Sequence, residues 1–559
     1  MKKIFPLLIV LIAGFIATSA LFTPRFIPTH DGEYHIIRFW QFYKMLSVGD
    51  MFPRWAPDLN SGYGLPLFIF HYPFPNYIGA FFHLFGIGFV DAFKLALATG
   101  YLSAVIFCYL WIRTMRSSFV AACSAIIFAF VPYWFVDIYV RGSVGEVWAI
   151  SFVLLTLLSI EHKWPKVVSL AVCGVIISHN ITALFCLPVV IMYVFYRNKI
   201  YIWRVLLGVV VASYFWIPAL FESKYMVGLN SVNFTDHFPD LYQLLIPSWG
   251  TGFSGRSVRF DQMSFQIGIA PMIILLLSFL LLVISKLKDR VLLMTVMLWG
   301  SVFYCMTAGS LWIWNLVPIA QFIQYPWRLL TLLLLLTPWL VANISEKMPK
   351  WITYLLVLFA ICVSYGYIHP VSYEARADKH YLAAPNFTDG TSSLGNSLTT
   401  IWSGWKPTRF THRFVFDSPS VVTSGVVELS NYYRILSRID QDTDMTANIL
   451  YFPGWKVLAD NQPLRVRYET DGVIHARIPK GTKEIIVEFG ETPVRQFADI
   501  LSLVGLFWVF GSGILGWVYA YSVKQFTTSD WSQSSGRGNI HKRAHRSASK
   551  RAQHHSDNV

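Results

Sequence analysis

The chain has 559 residues, of which 55 % are hydrophobic and 14 % are charged. This composition is too apolar for a soluble globular protein and indicates a membrane protein. The net charge of +14 would suit nucleic-acid binding, but much of it lies in short loops between apolar runs and in the C-terminal tail. That distribution is typical of membrane topology, so we expect no nucleic acid partner.

Apolar runs of the length that crosses a bilayer, about 20 residues, recur along the chain. The first run resembles a signal peptide but has no clear small-x-small cleavage site, so we interpret it as an uncleaved signal anchor. The sequence predicts about twelve transmembrane helices, at roughly 4–22, 93–112, 119–137, 146–161, 165–178, 181–196, 203–220, 265–285, 291–308, 327–343, 351–368 and 498–521.

Basic residues in alternate loops set the orientation of these helices. By the positive-inside rule their side is cytoplasmic, and both termini lie there. This topology requires that 66–88 does not span, and its three prolines and two histidines favour one or two amphipathic helices at the outer interface. The clusters are Lys2 and Lys3, Arg113 and Arg116, Lys163 and Lys166, Arg197, Lys199 and Arg204, Lys286, Lys288 and Arg290, Lys347 and Lys350, and the tail.

The segment 369–497 alternates apolar and polar residues, which is typical of antiparallel strands, and predicts a small outer β-sandwich. In YFPGWKVLADNQ, the DN turn indicates a hairpin, and Tyr451, Phe452 and Trp455 are candidates for an aromatic platform under sugar rings. We therefore divide the chain into a transmembrane domain 1–368 with a long first outer loop 23–92, the β-rich domain 369–497, a final helix 498–521, and a basic disordered cytoplasmic tail 522–559 that can touch anionic membrane lipid.

HDGEYH, residues 30–35, places two acids where the first apolar segment ends. In an extended segment, Asp31 and Glu33 point the same way. Such a pair can supply a base with an orienting group, or hold a shared divalent cation, and the neighbouring His35 can join it. A solvated loop after a helix is the alternative, because D-x-E alone is a weak motif.

Other polar residues are expected on the same outer side. Each also has a structural explanation: an ion pair across a hairpin in YVRGSVGE, a polar turn in SHNITALF, and a helix start in QYPWR. An arginine on the outer side is unusual and can form two hydrogen bonds to a phosphate, so the set fits a lipid-borne phosphate substrate. The candidates are Arg141, Glu146, His179, Asn180, Glu222, Gln324 and Arg328.

The ordered set HDGEYH, WAPDLNSGYGLPLFIFHYPFPNY, YVRGSVGE, SHNITALF, QYPWR and YFPGWKVLADNQ resembles the GT-C superfamily of integral-membrane glycosyltransferases. More narrowly, it resembles the bacterial membrane proteins grouped with YfhO, a group also labelled 6-pyruvoyl-tetrahydropterin synthase-related. The resemblance spans nearly the whole chain except the tail. It implies a GT-C-like catalytic domain in 1–368 that transfers a hexosyl or pentosyl group from a polyprenyl-phosphate-linked sugar to a glycan, lipid or protein acceptor, on the outer face of a bacterial plasma membrane.

The resemblance also implies residue roles. An acid of the first outer loop is general base or metal ligand, which assigns Asp31 first and Glu33 second. The reaction is an inverting displacement, and Arg141 or Arg328 holds the donor phosphate. Superfamily members differ in their need for a divalent cation, so Mg²⁺ or Mn²⁺ at Asp31 and Glu33 is an option and no other cofactor is expected. The remaining candidates are substrate-binding residues: His35, Glu146, His179, Asn180, Glu222 and Gln324.

Two other functions fit the sequence: a transporter or flippase for lipid-linked glycans, and a non-catalytic assembly protein. A transporter is expected to have broken helices in paired halves and polar groups near the middle of the bilayer, whereas here most charges fall at one face. Gathering of the candidate residues around one lipid-accessible site favours the enzyme, and their scatter favours the other two functions.

Overall fold

The computed structural model describes residues 4–228, 233–255, 261–383, 398–404, 406, 408–419 and 421–511. The chain forms two compact units, Met1–Leu506 and Phe507–Val559, and the second is described only as far as Gly511. The first unit contains all the described strands and all the described helices except the last residues of the final helix, so the helical body and the β-rich region pack as one unit. The expected tail and the end of the final helix lie outside the described residues.

The helical body is built in chain order from α1 to α19, followed by a last helix, α20. The helices before residue 230 are α1 Phe5–Thr18, α2 Gly32–Ser47, α3 Leu67–Phe70, α4 Phe74–Leu84, α5 Phe89–Arg113, α6 Ser118–Ala129, α7 Pro132–Phe135, α8 Val144–Glu161, α9 Pro165–Ser178, α10 Asn180–Arg197, α11 Ile202–Val211 and α12 Ser213–Phe221. The others are α13 Leu241–Leu245, α14 Ile269–Ile284, α15 Arg290–Cys305, α16 Leu311–Leu316, α17 Leu330–Lys347, α18 Lys350–Ser364, α19 Asp378–Leu382 and α20 Pro493–Gly511.

The chain is a multi-pass membrane protein. Six helices of the described residues are long and apolar enough to cross a membrane, and three bent helix pairs raise the number to nine if each pair is one span. Three further apolar helices, Phe5–Leu21, Pro165–Ser178 and Ile269–Ile284, are shorter. The number expected from the sequence, about twelve, is reached only if these shorter helices also span.

The membrane-spanning segment that begins with α6 is bent at a proline. A proline at 132 has no amide hydrogen to continue the helix, and α6 and the following segment Pro132–Arg141 meet at 48°. Val136–Arg141 then forms a π-helix, which ends at Gly142 with φ +67°, a conformation that favours glycine. This break places Arg141 at the end of the bent pair.

Three of the basic clusters named above lie in ion pairs between helix ends, at the end of the body that we call the basic end. Arg116 pairs with Glu346 at 3.0 Å, Lys347 with Asp289, and Arg197 with Glu161. The opposite end carries Glu146 and His179. Helix α8 runs from Glu146 to Glu161 between these two ends, a rise of about 22 Å at 1.5 Å per residue, so the polar ends are separated by an apolar layer.

Residues 66–88 form two short helices, as the sequence predicts. The longer, α4, has 11 residues and is about 16 Å long, too short to cross a bilayer. The same loop holds an unexpected helix, α2, which begins directly after Asp31. The prediction of an extended segment there was wrong, because Gly32–Ser47 has apolar residues at helical spacing that bury one face against α4 and α5.

The β-rich region consists of two antiparallel sheets that form a small sandwich. One sheet has the order β1-β4-β8-β7 and the other β2-β3-β9-β5-β6. The strands are β1 Phe414–Phe416, β2 Val421–Leu429, β3 Tyr432–Ile439, β4 Thr443–Leu450, β5 Trp455–Ala459, β6 Gln462–Leu464, β7 Val466–Arg467, β8 Val473–Ile478 and β9 Glu484–Phe489. Strand β3 alternates buried and exposed residues, which is why the alternation in sequence predicts this fold.

The predicted hairpin is confirmed: β5 pairs with β6 across Asp460 and Asn461, both at positive φ. The predicted aromatic platform is wrong for two of its three members. Phe452 and Trp455 are both buried: the ring of Phe452 lies 6.0 Å from that of Phe70 in α3, and the ring of Trp455 contacts Phe489 in β9 and Trp55 in the first loop. Only Tyr451 is partly exposed. Phe452 and Trp455 are therefore part of the protein interior and not of a surface that could bind sugar rings.

Candidate functional site

Asp31 lies at the N-cap position of α2, at the end of the body opposite the basic end. Its backbone N–H donates to the carbonyl of Arg141 at 2.9 Å, and the N–H of His30 donates to Val140 at 3.0 Å. The carboxylate makes no cap hydrogen bond to the first turn of α2, and the residue is partly exposed. The carboxylate is therefore held by its backbone and left available to a ligand.

Glu33 does not share this position. It lies in the first turn of α2 and forms an ion pair with Arg376, which is also paired with Glu374. Residues two apart on a helix are about 200° apart around its axis, so the two acids do not face the same way. The expectation that Asp31 and Glu33 act as a parallel pair was wrong for this reason, and Glu33 fastens the first loop to the segment before α19.

Arg141 and Glu146 form a buried ion pair at 2.7 Å, and Asp137 is a second carboxylate on the same guanidinium. All three side chains are buried. The hydroxyls of Tyr133 and Thr331 also donate to Glu146. Because removing one partner would leave a buried charge unpaired, this cluster rigidly fixes the turn whose carbonyls bind His30 and Asp31.

Tyr72 lies at the centre of the site. Its ring is 5.1 Å from that of His179 and 4.1 Å from that of His71. Burial raises the pKa of Tyr72, the carboxylate of Asp31 raises it further, and the guanidiniums of Arg38, Arg328 and Arg141 oppose the rise. The charges of these four groups all influence the pKa of this phenol. The first loop, the π-helix and the QYPWR segment therefore lie close to one another around Tyr72.

Two buried histidines line the same site. His35 lies 5.9 Å from His71, ring to ring. Burial and the nearby Arg38 lower the pKa of both well below 6.5, so both are neutral at pH 7. The sequence predicted His35 as a site residue and named neither His71 nor Tyr72, because it placed both in an interfacial helix pair with no reason to turn inwards.

Arg38 is a site residue that the sequence analysis missed. It follows Asp31 by seven positions on α2, which places both on one helix face. Burial lowers the pKa of Arg38 below its usual value, and the carboxylate of Asp31 opposes this. Its Nε is buried and has no hydrogen-bond partner in the structure. A prediction of helix at 32–47 would have exposed the i, i+4, i+7 spacing of Asp31, His35 and Arg38.

Arg328 brings a second guanidinium from the other half of the chain. It donates from Nη1 to the carbonyl of Ile323 at 3.0 Å and to Oε1 of Gln324 at 2.9 Å. Its Cζ lies 4.8 Å from the ring centroid of Tyr325. Its Nε, like that of Arg38, is buried and has no hydrogen-bond partner among the described residues. Gln324 therefore positions Arg328, and both remain in the predicted set.

Two predicted residues lie apart from this arrangement or at its edge. Glu222 is buried against Arg495 at 2.9 Å and Thr492 at 2.6 Å, where α12 meets α20. It fastens two helices and belongs to a separate cluster. Asn180 is exposed at the first position of α10, beside His179, whose ring accepts from the amide of Thr182. The sequence places both near the outer boundary but carries no signal of their different partners.

The residues present do not fit a metal centre of three or more donors. Among the described residues, no group of three or more His, Cys, Asp or Glu side chains is placed to hold a metal ion. Mg²⁺ and Mn²⁺ prefer several oxygen ligands, and Asp31 and Glu33 face different ways. The possible cation at this pair therefore stays a prediction.

No family model matches the sequence, and no curated protein matches it. The structure is similar to the Archaeoglobus fulgidus oligosaccharyltransferase in its apo form, with a TM-score of 0.40 and 13 % identity, covering 69 % of this chain and 56 % of that one. It is also similar to AglB from Archaeoglobus fulgidus in complex with an inhibitory peptide and a dolichol-phosphate, with a TM-score of 0.41 and 12 % identity over 70 % and 56 % of the two chains. The chain thus spans little more than half the length of these two archaeal chains.

Proposed function

We propose that the chain is a membrane glycosyltransferase that moves a sugar from a polyprenyl-phosphate donor to a glycan, lipid or protein acceptor. The observation that carries the proposal is the position of Asp31: its backbone amide binds the carbonyl of Arg141 at 2.9 Å, and the Arg141 guanidinium lies 5.0 Å from the ring of Trp327, the neighbour of Arg328. A carboxylate beside two guanidiniums at a membrane boundary suits a reaction between a water-borne hydroxyl and a lipid phosphate.

Asp31 is the proposed general base. It takes the proton of the acceptor hydroxyl while the hydroxyl oxygen attacks the anomeric carbon of the sugar. The bond from that carbon to the phosphate oxygen breaks, and the lipid phosphate leaves with the electron pair. Attack opposite the leaving group inverts the anomeric configuration. The step needs one carboxylate close to the acceptor, and the exposure of Asp31 supports this role.

Arg328 and Arg38 are the proposed holders of the donor phosphate. Each has a buried Nε that lacks a hydrogen-bond partner in the described part of the chain, and an unsatisfied buried donor is costly unless a ligand oxygen accepts from it. Arg141 is less suited to this task, since two carboxylates already bind its Nη1. We assign Arg141 and Glu146 to positioning, because the Arg141 carbonyl holds Asp31. His179 and the neutral His35 and His71 form the buried wall of the site.

The site is proposed to face the outer side of a bacterial plasma membrane. The basic end, with its paired arginines and lysines, is then cytoplasmic by the positive-inside rule. This orientation places Asp31 where exported acceptors are available.

The test compares three forms of the purified full-length protein: wild type, Asp31→Asn and Asp440→Asn. Asp440 is an exposed carboxylate of the β-rich region and serves as the matched control. Each is incubated in detergent with a panel of synthetic polyprenyl-phosphate sugars and with cell-envelope glycan, and release of free polyprenyl phosphate is measured by mass spectrometry. The proposal expects acceptor-dependent release that Asp31→Asn abolishes and Asp440→Asn retains. Equal release by all three forms overturns the assignment of Asp31.

A second candidate is transport of a lipid-linked glycan. The broken span Ser118–Ala129 and Pro132–Arg141 favours it, because transporters place binding groups at broken helices and this one carries Asp137 and Arg141. Detergent micelles have no compartments, so sugar transfer in detergent supports the enzyme. Movement of the intact donor across vesicles, without transfer in detergent, supports the transporter.

A further inference from the structure

A short apolar segment, residues 308–323, follows α15 after a bend of 93°. It consists of a 3₁₀-helix at Ala308–Ser310, the helix α16 and a second 3₁₀-helix at Pro318–Ile323. We call it the bent segment. The residues directly after it include Gln324 and Arg328 of the candidate functional site, so the bent segment leads into that site.

The bend turns the chain away from the direction of a membrane span. Helix α15 begins next to Asp289, the partner of Lys347 at the end of α17, and it also contacts Pro326–Leu329, directly before α17. It therefore runs antiparallel to α17 across the apolar layer, from the basic end towards the site. A helix at 93° to this direction runs along the boundary of the apolar layer and does not cross it.

Hydrogen bonds across the bend fix its angle. The indole Nε1 of Trp314 donates to the carbonyl of Cys305 at 3.0 Å, and the hydroxyl of Ser310 donates to the same carbonyl at 3.0 Å. The Trp314 side chain is buried, and its ring centroid lies 5.6 Å from that of Phe234 and 5.7 Å from that of Phe238. One face of α16 is therefore held against the loop before α13, and the bent segment has a defined orientation.

The other face of the bent segment is apolar and exposed. The side chains of Trp312, Leu316, Ile319 and Phe322 are between 56 % and 72 % exposed. No charged residue lies in 291–327. Contact of so many large apolar side chains with water is costly, and such a surface marks a site of interaction with a membrane or a protein.

The polar atoms of the segment suit the membrane interface. The Nε1 of Trp312 donates to the hydroxyl of Tyr304 at 3.1 Å, and that hydroxyl donates to the carbonyl of Gly309 at 2.7 Å. Neither ring needs water for its polar atom, so both can enter an apolar layer. The exposed amides of Asn315 and Gln321 favour a position at the boundary of this layer, where they can reach water.

The exposed face continues the lipid-facing side of α15. Met294 and Met297 of α15 are exposed by 58 % and 63 %, as expected of a membrane helix side that faces lipid. Tyr304, at the end of the same helix, is also exposed. The bilayer that covers α15 therefore extends to the bent segment, which favours lipid over a water-borne protein as its partner.

We propose that the bent segment lies in the membrane interface, in the leaflet at the end opposite the basic end. Its partner is the lipid surface, and Trp312, Leu316, Ile319 and Phe322 insert among the upper parts of the acyl chains. This contact anchors the chain next to the QYPWR segment, which carries Arg328. It does not depend on the proposed transferase function, and its test involves no sugar transfer.

The test measures the surroundings of single residues in the full-length protein, reconstituted in vesicles of phosphatidylcholine and phosphatidylglycerol. Cys305→Ser and Cys362→Ser remove the two cysteines that are not buried. Nitroxide spin labels are then attached to Leu316→Cys and, in a separate variant, to Phe322→Cys. Electron paramagnetic resonance measures how accessible each label is to oxygen, which concentrates in lipid, and to a water-soluble nickel chelate.

Two other exposed positions serve as matched controls. The side chain of Arg438 is 81 % exposed on β3, and Leu358 is 58 % exposed in Lys350–Tyr367, which is long and apolar enough to span a membrane. We expect the oxygen-to-nickel accessibility ratio at Leu316→Cys and Phe322→Cys to be at least about threefold above that of Arg438→Cys and below that of Leu358→Cys, as for side chains about 5–10 Å deep. A ratio equal to that of Arg438→Cys, or low accessibility to both reagents because protein covers the labels, overturns the proposal.

A second measurement uses the wild-type protein and does not depend on the folding of the variants. A phospholipid with a photoreactive group near the glycerol end of one acyl chain is added to the vesicles and activated by light. Pepsin then digests the protein, because the bent segment contains no lysine or arginine for trypsin, and mass spectrometry locates the lipid adducts. Adducts are expected within 308–323 and not in β3. Adducts in α15 and α18 with none in 308–323 overturn the proposal.

Discussion

The backbone amide of Asp31 donates a hydrogen bond to the carbonyl of Arg141 at 2.9 Å. This contact joins a residue with a partly exposed carboxylate to a buried charge cluster that lies 110 positions later in the chain. The side chain of Arg141 is held by Asp137 and Glu146, so its carbonyl has a fixed place. The position of the proposed base is therefore decided by residues that need not touch a substrate.

Replacing Asp31 by Asn is expected to reduce sugar transfer by about 10²- to 10⁴-fold, the usual contribution of a general base. The unfolding temperature is expected to stay close to wild type, because the backbone contacts of residue 31 remain. The measurement is the initial rate of polyprenyl-phosphate release together with a thermal melt in detergent. A rate that falls only in step with the folded fraction contradicts the catalytic assignment.

Replacing Glu33 by Gln distinguishes the two acids of the motif. The change removes one ion pair with Arg376, whose side chain is 32 % exposed, so we expect a loss of no more than about 1 kcal/mol. Transfer is expected to remain within about threefold of wild type, because Glu33 does not face Tyr72 with Asp31. A loss of transfer activity as large as that of Asp31→Asn would contradict this expectation and support the carboxylate pair that the sequence predicts.

Replacing Arg141 by Gln is expected to destabilise the protein strongly. The change leaves two buried carboxylates without their cation, which typically costs about 3–5 kcal/mol. Thermal unfolding in detergent measures the effect. Arg438→Gln is the matched control, since that arginine is 81 % exposed and its ion pair contributes about 1 kcal/mol or less. Similar melts for the two variants would show that the buried cluster has little influence on stability.

Replacing Arg328 by Lys tests the phosphate assignment. Lysine keeps the charge but has no Nε–H to donate alongside the terminal nitrogens. Loss of a hydrogen bond to a charged group is worth about 1.5–3 kcal/mol, so we expect the KM for the donor to rise about 10- to 100-fold. Arg434→Lys changes an exposed arginine of the β-rich region and is expected to leave KM unchanged. An unchanged KM in Arg328→Lys removes this residue from donor binding.

Replacing Gly145 by Ala tests how closely Tyr72 is packed. A Cβ at this position would lie 2.5 Å from the Tyr72 ring and 2.6 Å from the backbone oxygen of Ser178, so the ring or α9 must move. We expect a loss of about 1–3 kcal/mol in stability and a marked loss of activity. Gly300→Ala is the control, because a Cβ there meets nothing within 4 Å and alanine favours a helix.

The buried His35 predicts a pH dependence. Its pKa in the folded state lies well below 6.5, whereas the unfolded chain binds a proton on this residue near 6.5. The unfolded state thus holds more protons as pH falls below about 6.5, so stability decreases from pH 7.5 towards pH 5.5. His35→Phe is expected to reduce the slope of this dependence in thermal melts, with the contribution of His71 remaining, and His412→Gln, an exposed control, is expected to preserve the full slope. The same slope in His35→Phe contradicts a neutral buried His35.

The fold was largely predictable from the sequence because burial in a bilayer imposes long apolar runs. Helices α5, α8, α9 and α10 fall within a few residues of their predicted bounds, and the strands follow the alternation of the chain. Helix α2 was missed, since its polar residues exclude a membrane span and the helical spacing of its apolar residues was interpreted as part of a long outer loop. The helix is buried by its packing against α4 and α5, and the sequence of residues 32–47 alone does not show this packing.

The site was predictable in part for the same reason. Only 14 % of the residues are charged and most basic clusters fall on the predicted cytoplasmic side, so the polar residues expected on the other side stood out: Asp31, Arg141, Glu146, His179 and Arg328. Whether a charged side chain faces a partner residue or a substrate depends on the tertiary structure. Glu33 pairs with Arg376 and Glu222 pairs with Arg495. Neither ion pair can be predicted from the local sequence.

Arg54 of the first loop contacts the carbonyl of Tyr214, the carboxylate of Glu491 and the carboxylate of Asp499. The last two partners are 437 and 445 residues later in the chain. At a synthesis rate of about 5–20 residues per second, roughly 20–90 s pass between the synthesis of Arg54 and that of its partners Glu491 and Asp499. During this time the first loop, which carries Asp31, lacks these contacts. The newly made first loop is thus exposed to chaperones and proteases until α20 has been made, and a chain that stops before residue 491 never closes it.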